Sequence, residues 1–288
     1  MTEPIILKGK PVADLNKKYC LQLIEENQLS PHLYVFLIGE DPASEYYVGN
    51  IKKQGKKLNI QVTIEKYNQI SEDELCNKII ALNNDNDVHG IMVQKPLPKN
   101  INPAKIESLI SPDKDVDGFH PLNTGLMLQE KECFLPCTAQ AILETMDFYN
   151  INPNKKHIVV VGRSNVVGKP IANLLLYKAK NRSATVTICH SQTPELSVFT
   201  KQADVLITAV GVANLIKPEM IKNNVIILDA GMNEILTVDN KTTYTGDVNY
   251  ELCFNKCFAI TPVPGGIGSV TTSILFKNIC NSAKMKKK

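Results

Sequence analysis

Apolar and polar positions along the 288-residue chain switch repeatedly between two periods. Apolar runs bounded by turn residues, the mark of strands buried on both faces, occur at Leu33–Gly39, Gly90–Gln94, Ile158–Val161, Ala184–Ile188, Asp204–Val210 and Val225–Asp229. IQVTIEKY (60–67) reads as a further strand and FAITPV (258–263) as a short last one. Helical spacing fills the intervals at Ala43–Leu58, at Ser71–Asn83 with Ser71 and Glu74 placed as a capping box, at NPAKIESLI (102–110), and from about Val270 onward. Such alternation predicts parallel sheets with helices on both faces. A polar stretch bearing Gly and Pro, Ser111–Gly125, interrupts the pattern, and a second alternating set follows Pro136–Thr138. Two α/β domains are therefore expected.

Composition agrees with a globular protein: 43% of residues are hydrophobic, 21% are charged, and the formal net charge is +3. The basic runs KKQGKK (Lys52–Lys57) and KMKKK (Lys284–Lys288) lack interleaved aromatic residues. They read as solvated faces rather than nucleic-acid contacts. The eight cysteines are scattered without a C-x-x-C, and Cys253 and Cys257 have no partnering cluster, so no metal site is expected. The N-terminal stretch has no basic region followed by a long apolar one, and no apolar run approaches a membrane span. These features point to free thiols in a reducing cytoplasm and to no membrane partner.

The most informative stretch is HIVVVGRSNVVGKPIANLLL, from His157 to Leu176. A buried strand runs into a turn bracketed by Gly162 and Gly168, and helical spacing follows. Glycines there let backbone N–H groups close on a pyrophosphate at a helix N-terminus, although a plain βα turn would read the same way. The next strand ends at His190 and Ser191, where an NAD-specific fold places a carboxylate on the ribose 2′-OH. With no carboxylate there, and with Arg163 in the turn as a planar cation, the residues favour NADP.

Several uncommon strings occur in one order: DPASEYYV, GIMVQKPLP, KDVDGFHPLN, PCT, VVGRSNVVGKP, CHSQT, ADVLITAVG, DAGMN, TGDVNYE and TPVPGGIGSVTT. Together, from about residue 5 to about residue 280, they resemble the bifunctional methylenetetrahydrofolate dehydrogenase/cyclohydrolase family of FolD type. The resemblance implies a homodimer that interconverts one-carbon units on tetrahydrofolate derivatives. It also implies two α/β domains, with the active site in the cleft between them. The tetrahydrofolate-binding catalytic domain would comprise residues 1–122 plus 270–288, and a Rossmann-like NADP-binding domain residues 123–269. Implied cofactor-binding residues are Gly162, Arg163, Ser164, Val167, Gly168, His190, Ser191, Gly211 and Met232.

For the folate side the resemblance implies Tyr47, Gln94 and Asp117 as catalytic and substrate-binding residues, joined by Pro264, Gly265 and Gly266. A carboxylate can accept both N–H groups of a pterin edge, and from the residues alone Asp115 and Asp117 serve equally well. The resemblance selects Asp117 and leaves Asp115 as a turn residue. Tyr47 can stack on an aromatic ring or simply fill core. Gln94, ending its strand, can orient a reacting group or hydrogen-bond to backbone. The paired glycines of PGGIG allow a close ligand approach or a turn.

One departure from the family pattern concerns the chemistry directly. The family carries a catalytic lysine four residues after the tyrosine, as Y-V-x-x-K, and here that position is Ile51. Lys52 and Lys53 are rotated from it by about 100° and about 200° around a helix. Oxidising a methylene bridge to the methenyl form moves a hydride and no proton, so positioning can suffice. Hydrolysing the methenyl cation needs a proton taken from water and one given to nitrogen. The expectation is an NADP-dependent dehydrogenase with weak or absent cyclohydrolase activity. The alternatives are a bifunctional enzyme reaching the site with Lys52 or Lys53, and a non-catalytic folate- and NADP-binding protein.

Overall fold

Strands that are apolar on both faces need helices on either side, and the chain meets that need in two separate sheets. The computed structural model describes residues 3–179, 181–236 and 242–287; Lys288 of the basic tail lies outside them. In chain order the elements begin β1 (Ile5–Ile6), α1 (Gly9–Asn27), β2 (His32–Ile38), α2 (Pro42–Lys57), β3 (Gln61–Tyr67) and α3 (Glu72–Asn83). Then come β4 (Gly90–Val93), α4 (Pro103–Leu109), α5 (Pro121–Leu128), α6 (Cys137–Phe148), β5 (His157–Val161), α7 (Gly168–Leu174), β6 (Thr185–Cys189) and α8 (Leu196–Thr200). The chain finishes with β7 (Val205–Thr208), β8 (Val225–Asp229), β9 (Asn233–Leu236), β10 (Thr242–Thr245), α9 (Tyr250–Phe254), β11 (Cys257–Ile260) and α10 (Ile267–Lys286).

Two compact units result, Met1–Ala13 with Thr138–Thr271, and Asp14–Cys137 with Thr272–Lys288. The expected division, 1–122 plus 270–288 against 123–269, differs at two places. β1 pairs in parallel with β11, Ile5 opposite Ala259 and Ile6 opposite Ile260, which draws the N-terminal residues into the unit built on 138–271. Residues 123–137 belong with the other unit, where the Cys137 thiol and the Asn278 amide both donate to the Val116 carbonyl, at 3.4 and 2.8 Å. Both links join positions far apart in sequence, so local pattern carries no sign of them.

The unit containing Asp14–Cys137 holds a parallel sheet of order β3-β2-β4, in which Val35 stands opposite Ile64 and Met92. Phe36, Leu75, Ile79, Ile91 and Ile106 form the core on one side of it. Helix α2 starts where Asp41 accepts the Ser44 N–H at 2.8 Å with Pro42 in the first turn, and Lys56 and Lys57 suit its C-terminal end. Ser44, Val48, Ile51 and Gly55 make its buried stripe, at the spacing that puts them on one face. The Ser71 hydroxyl accepts the Glu74 N–H at 3.2 Å, starting α3 as expected.

The other unit carries a six-stranded, wholly parallel sheet of order β1-β11-β8-β7-β5-β6. From β5 the chain steps outward to β6, then returns across β5 to β7 on its far side. Strand order therefore reverses between β5 and β7, and ligands of such sheets bind outside the carboxyl ends of the strands at that reversal. The hairpin β9–β10 follows β8 as an antiparallel pair outside this sheet. Among the described residues no helix is long and apolar enough to cross a membrane.

Candidate active site and nucleotide-binding turn

The turn after β5 sits at the strand-order reversal. Gly162 has φ +132°, and a Cβ there would lie 2.4 Å from the carbonyl oxygen of Ala209, the first residue after β7. A Cβ on Gly168 would lie 2.1 Å from the Gly162 carbonyl oxygen. Both glycines are required by close backbone approach, which keeps the turn tight and leaves its outer side open. Within it the Ser164 hydroxyl accepts the Val167 N–H at 3.1 Å, while Arg163 and Ser164 are exposed and Val167 is half-buried.

The Gly162 N–H donates to the Cys189 carbonyl at 2.8 Å, so the segments bearing Arg163 and His190–Ser191 leave the sheet side by side. His190 closes a turn in which its N–H donates to the Thr193 hydroxyl at 2.9 Å, and Ser191 is exposed. Gly211 (φ +68°) and Met232, 65% exposed, follow β7 and β8 at the same carboxyl end. Pro264, Gly265 and Gly266 also belong to this unit, where the Gly265 carbonyl accepts the Gly9 N–H at 2.8 Å.

Tyr47, Gln94 and Asp117 lie in the other unit. There the symmetry between Asp115 and Asp117 breaks. Asp115 is buried and accepts the N–H groups of Phe119 at 3.0 Å and His120 at 2.7 Å, together with the Asn123 amide at 2.8 Å. It is a loop-building residue, as expected. Asp117 is half-buried beside the Cys137 thiol, whose one proton is also in reach of the Val116 carbonyl; burial and then the charge of Asp115 push its carboxyl up to about 6, only partly offset by that thiol and Lys95. Burial, followed by Asp117 and Cys137, raises the Tyr47 hydroxyl, with the Thr272 side chain in hydrogen-bond reach. Tyr47 and Asp117 are thus brought together with Cys137 and Thr272, neither of which the spacing arguments had singled out.

Gln94 extends the β4 ladder, its N–H donating to the Phe36 carbonyl at 2.9 Å. Its side-chain amide donates to the Lys95 carbonyl at 2.7 Å and lies 3.4 Å from the buried Ser44 hydroxyl, while its Oε1 is buried with no hydrogen-bond partner. Turning the amide over would set Oε1 against the Lys95 carbonyl, acceptor to acceptor, so the orientation is fixed. Oε1 is an acceptor held for a donor that the described residues do not supply. Ile51 is fully buried one turn beyond Tyr47 and offers none, whereas Lys52 and Lys53 are both exposed.

The chain matches two family models: tetrahydrofolate dehydrogenase/cyclohydrolase, catalytic domain, over residues 7–117, and tetrahydrofolate dehydrogenase/cyclohydrolase, NAD(P)-binding domain, over residues 136–287. The chain belongs to this family. The bifunctional protein FolD of Chloroherpeton thalassium is 44% identical over 288 residues, covering 96% of this chain and 98% of that protein. The crystal structure of the bifunctional FolD enzyme of Campylobacter jejuni superposes with TM-score 0.91 at 38% identity, covering 97% of this chain and 98% of that one. The FolD of Trypanosoma brucei, described as complexed with NADP cofactor and inhibitor, gives TM-score 0.92 at 30% identity over 100% of both chains.

Within a tetrahydrofolate dehydrogenase/cyclohydrolase, the tight turn at Gly162–Gly168 fits a dinucleotide. Its close approaches leave no room for side chains that would push it outward. Gly168→Ala is expected to cost about 1–3 kcal/mol of stability through overpacking and to weaken dinucleotide binding, read by thermal unfolding and titration calorimetry.

A raised carboxyl pKa means that the folded chain holds the Asp117 proton more tightly than the unfolded chain does. The resulting stabilisation is full below the usual carboxylate pKa of about 4 and is lost as pH rises through about 6. Asp117→Asn has no charge to desolvate. Its Tm relative to wild type is therefore expected to rise across that window, as measured by unfolding at a series of pH values.

Proposed function

We propose that this chain is an NADP-dependent 5,10-methylenetetrahydrofolate dehydrogenase in which methenyltetrahydrofolate cyclohydrolase activity is weak or absent. The observation that carries the second half of this reading is Ile51, a fully buried hydrocarbon on the inner stripe of α2, with its lysine neighbours exposed. Membership of the family carries the first half. The preference for NADP over NAD rests on the β6 end, where His190 and Ser191 stand in place of a carboxylate and Arg163 is exposed beside them. The family resemblance and eight free thiols support a homodimer working in a reducing cytoplasm, checked by light scattering and fractionation.

The chain's own residues supply binding and orientation. Asp117 accepts two N–H groups from the pterin edge, and its hold strengthens as it ionises. Tyr47 gives an aromatic face for the substrate's ring system. Gln94 directs its unpartnered Oε1 toward a donor on the ligand. On the nucleotide side, the turn Gly162–Gly168 with Ser164 and Val167 holds the pyrophosphate, and Arg163, His190 and Ser191 take the 2′-phosphate. Gly211 and Met232 also meet the dinucleotide, and on the folate side Pro264–Gly266 allow close approach of the substrate to backbone.

Bound NADP supplies the hydride acceptor. The substrate carbon gives up H⁻ while a lone pair of the adjacent nitrogen forms the iminium, so charge balances without a proton transfer. Hydrolysis differs: water adds to that carbon, loses a proton, and the C–N bond breaks as nitrogen gains one. Isoleucine can neither take nor give a proton.

Purified protein is expected to reduce NADP when given methylenetetrahydrofolate and to hydrolyse methenyltetrahydrofolate little faster than buffer. Rapid hydrolysis that disappears in a Lys52→Ala/Lys53→Ala double variant would overturn the loss of that activity and favour the bifunctional alternative. Ile51→Lys is expected to raise hydrolysis by about 10²–10⁴-fold. It should also lower Tm, because an ammonium replaces a buried side chain. Activity assays and unfolding curves on the same preparations check both.

A further inference from the structure

Two buried carboxylates stand at the carboxyl ends of β7 and β8, Asp229 of DAGMN and Asp247 of TGDVNYE, and the motifs alone gave neither a role. Asp247 is fully buried; its Oδ2 accepts the N–H groups of Val210 at 2.7 Å and Gly211 at 3.3 Å, and its Oδ1 accepts those of Val212 at 3.0 Å and of the Asn233 amide at 3.0 Å. Three successive backbone N–H groups converging on one anion form a nest, the arrangement that elsewhere binds phosphate. Here the chain fills it with its own carboxylate.

Asp229, at the end of β8, holds Asp247 in turn. Its Oδ1 accepts the N–H of Asp247 at 3.2 Å and of Gly231 at 2.9 Å and the Thr208 hydroxyl at 2.9 Å, while Oδ2 accepts the Val248 N–H at 2.9 Å. The fit is close enough that a Cβ on Gly231 would lie 2.2 Å from the Asp247 carboxyl carbon. The secured loop begins at Ala209, whose N–H donates to the Val161 carbonyl at 2.9 Å beside the Gly162 turn. Its outer surface is bare and uncharged: Gly211 is exposed and Val212 is 50% exposed.

We propose that Asp247 is a positioning residue for the dinucleotide: by filling the Val210–Val212 nest it denies that nest to phosphate and makes the loop a seat for the uncharged nicotinamide ring. The ligand's phosphates are thereby confined to the Gly162–Gly168 turn, and the ring is directed to the apolar loop after β7. This rests on the reading that the unit binds NADP, and it adds Asp247 as the residue that sets the loop after β7 for its end of the molecule. Asp229 acts one step further back, orienting the backbone from which the Asp247 side chain springs.

The test compares two ligands on the full-length protein by titration calorimetry: NADP, and its fragment 2′-phosphoadenosine diphosphoribose, which lacks the nicotinamide. In Asp247→Asn one acceptor oxygen becomes a donor facing N–H groups, so the loop loses its set. NADP binding is expected to weaken by about tenfold or more while fragment binding stays within about twofold of wild type. Inorganic phosphate, with the nest partly vacated, is expected to compete with NADP more strongly in Asp247→Ala than in wild type.

Equal weakening of both ligands, or no weakening of NADP, overturns the proposal. Should the Asp247 variants fail to fold, Thr208→Val, which removes one donor to Asp229, is expected to give a smaller loss of NADP affinity with the fragment unaffected, and a parallel loss of both overturns it. A wild-type protein that binds neither ligand would instead overturn the NADP reading of the unit itself.

Discussion

A polar atom taken out of water must find a partner, and this one constraint sorts the side chains of both units. Asp115, Asp229 and Asp247 have their oxygens filled by N–H and hydroxyl groups of their own unit, and each builds a loop. Asp117 and Gln94 do not: the first has beside it a thiol whose proton the Val116 carbonyl shares, and the second keeps a buried oxygen without a partner. Filled acceptors make structure, and acceptors with capacity left can still take a donor. The same carboxylate chemistry, two residues apart in Lys114–Gly118, gives one of each.

On the nucleotide side the constraint works together with strand order. A parallel sheet whose order reverses leaves a crevice where successive strand ends diverge, and only close backbone contact between the two loops keeps that crevice shaped. Gly162 against Ala209 supplies the contact. The nest filled by Asp247 then makes the second loop unlike the first, one with an open glycine turn and the other with its N–H groups turned inward. An elongated ligand with charged and uncharged parts matches that difference along its length.

The proposed separation of two chemistries turns on one residue of helix α2. Its inner stripe has to be apolar or internally satisfied to pack beneath the sheet, and Ile51 meets that requirement fully. A lysine at the same place would be a desolvated amine, easily deprotonated, and so both a stability cost and a proton carrier. Isoleucine removes the cost and the carrier together. On the proposed reading, hydride transfer asks only that two ligands be held, which the change at Ile51 leaves possible.

Much of this was legible in local pattern. The strands β2, β5 and β8, the capped helices α2 and α3, and the turn at Gly162–Gly168 all follow from periodicity, caps and glycine placement, which are properties of neighbouring residues. The ordered motifs pointed to the family, and the departure at Ile51 was visible as a single letter. Helix α1 and strand β1 went unread, because α1 exposes apolar Leu15, Tyr19 and Leu21 and carries Asn16 within its buried stripe, which blurs the pattern, and β1, two residues long, exists only through its pairing with β11. By itself, then, the sequence determined which segments are strands and helices, where the backbone must turn sharply, and which chemistry-bearing residues are present. The tertiary structure alone decided where the units divide, which of Asp115 and Asp117 keeps capacity for a ligand, and that Asp247 fills a nest built from Val210–Val212. Those outcomes depend on hydrogen bonds between residues distant along the chain, and the filling of a buried acceptor is known only when every donor around it has been placed.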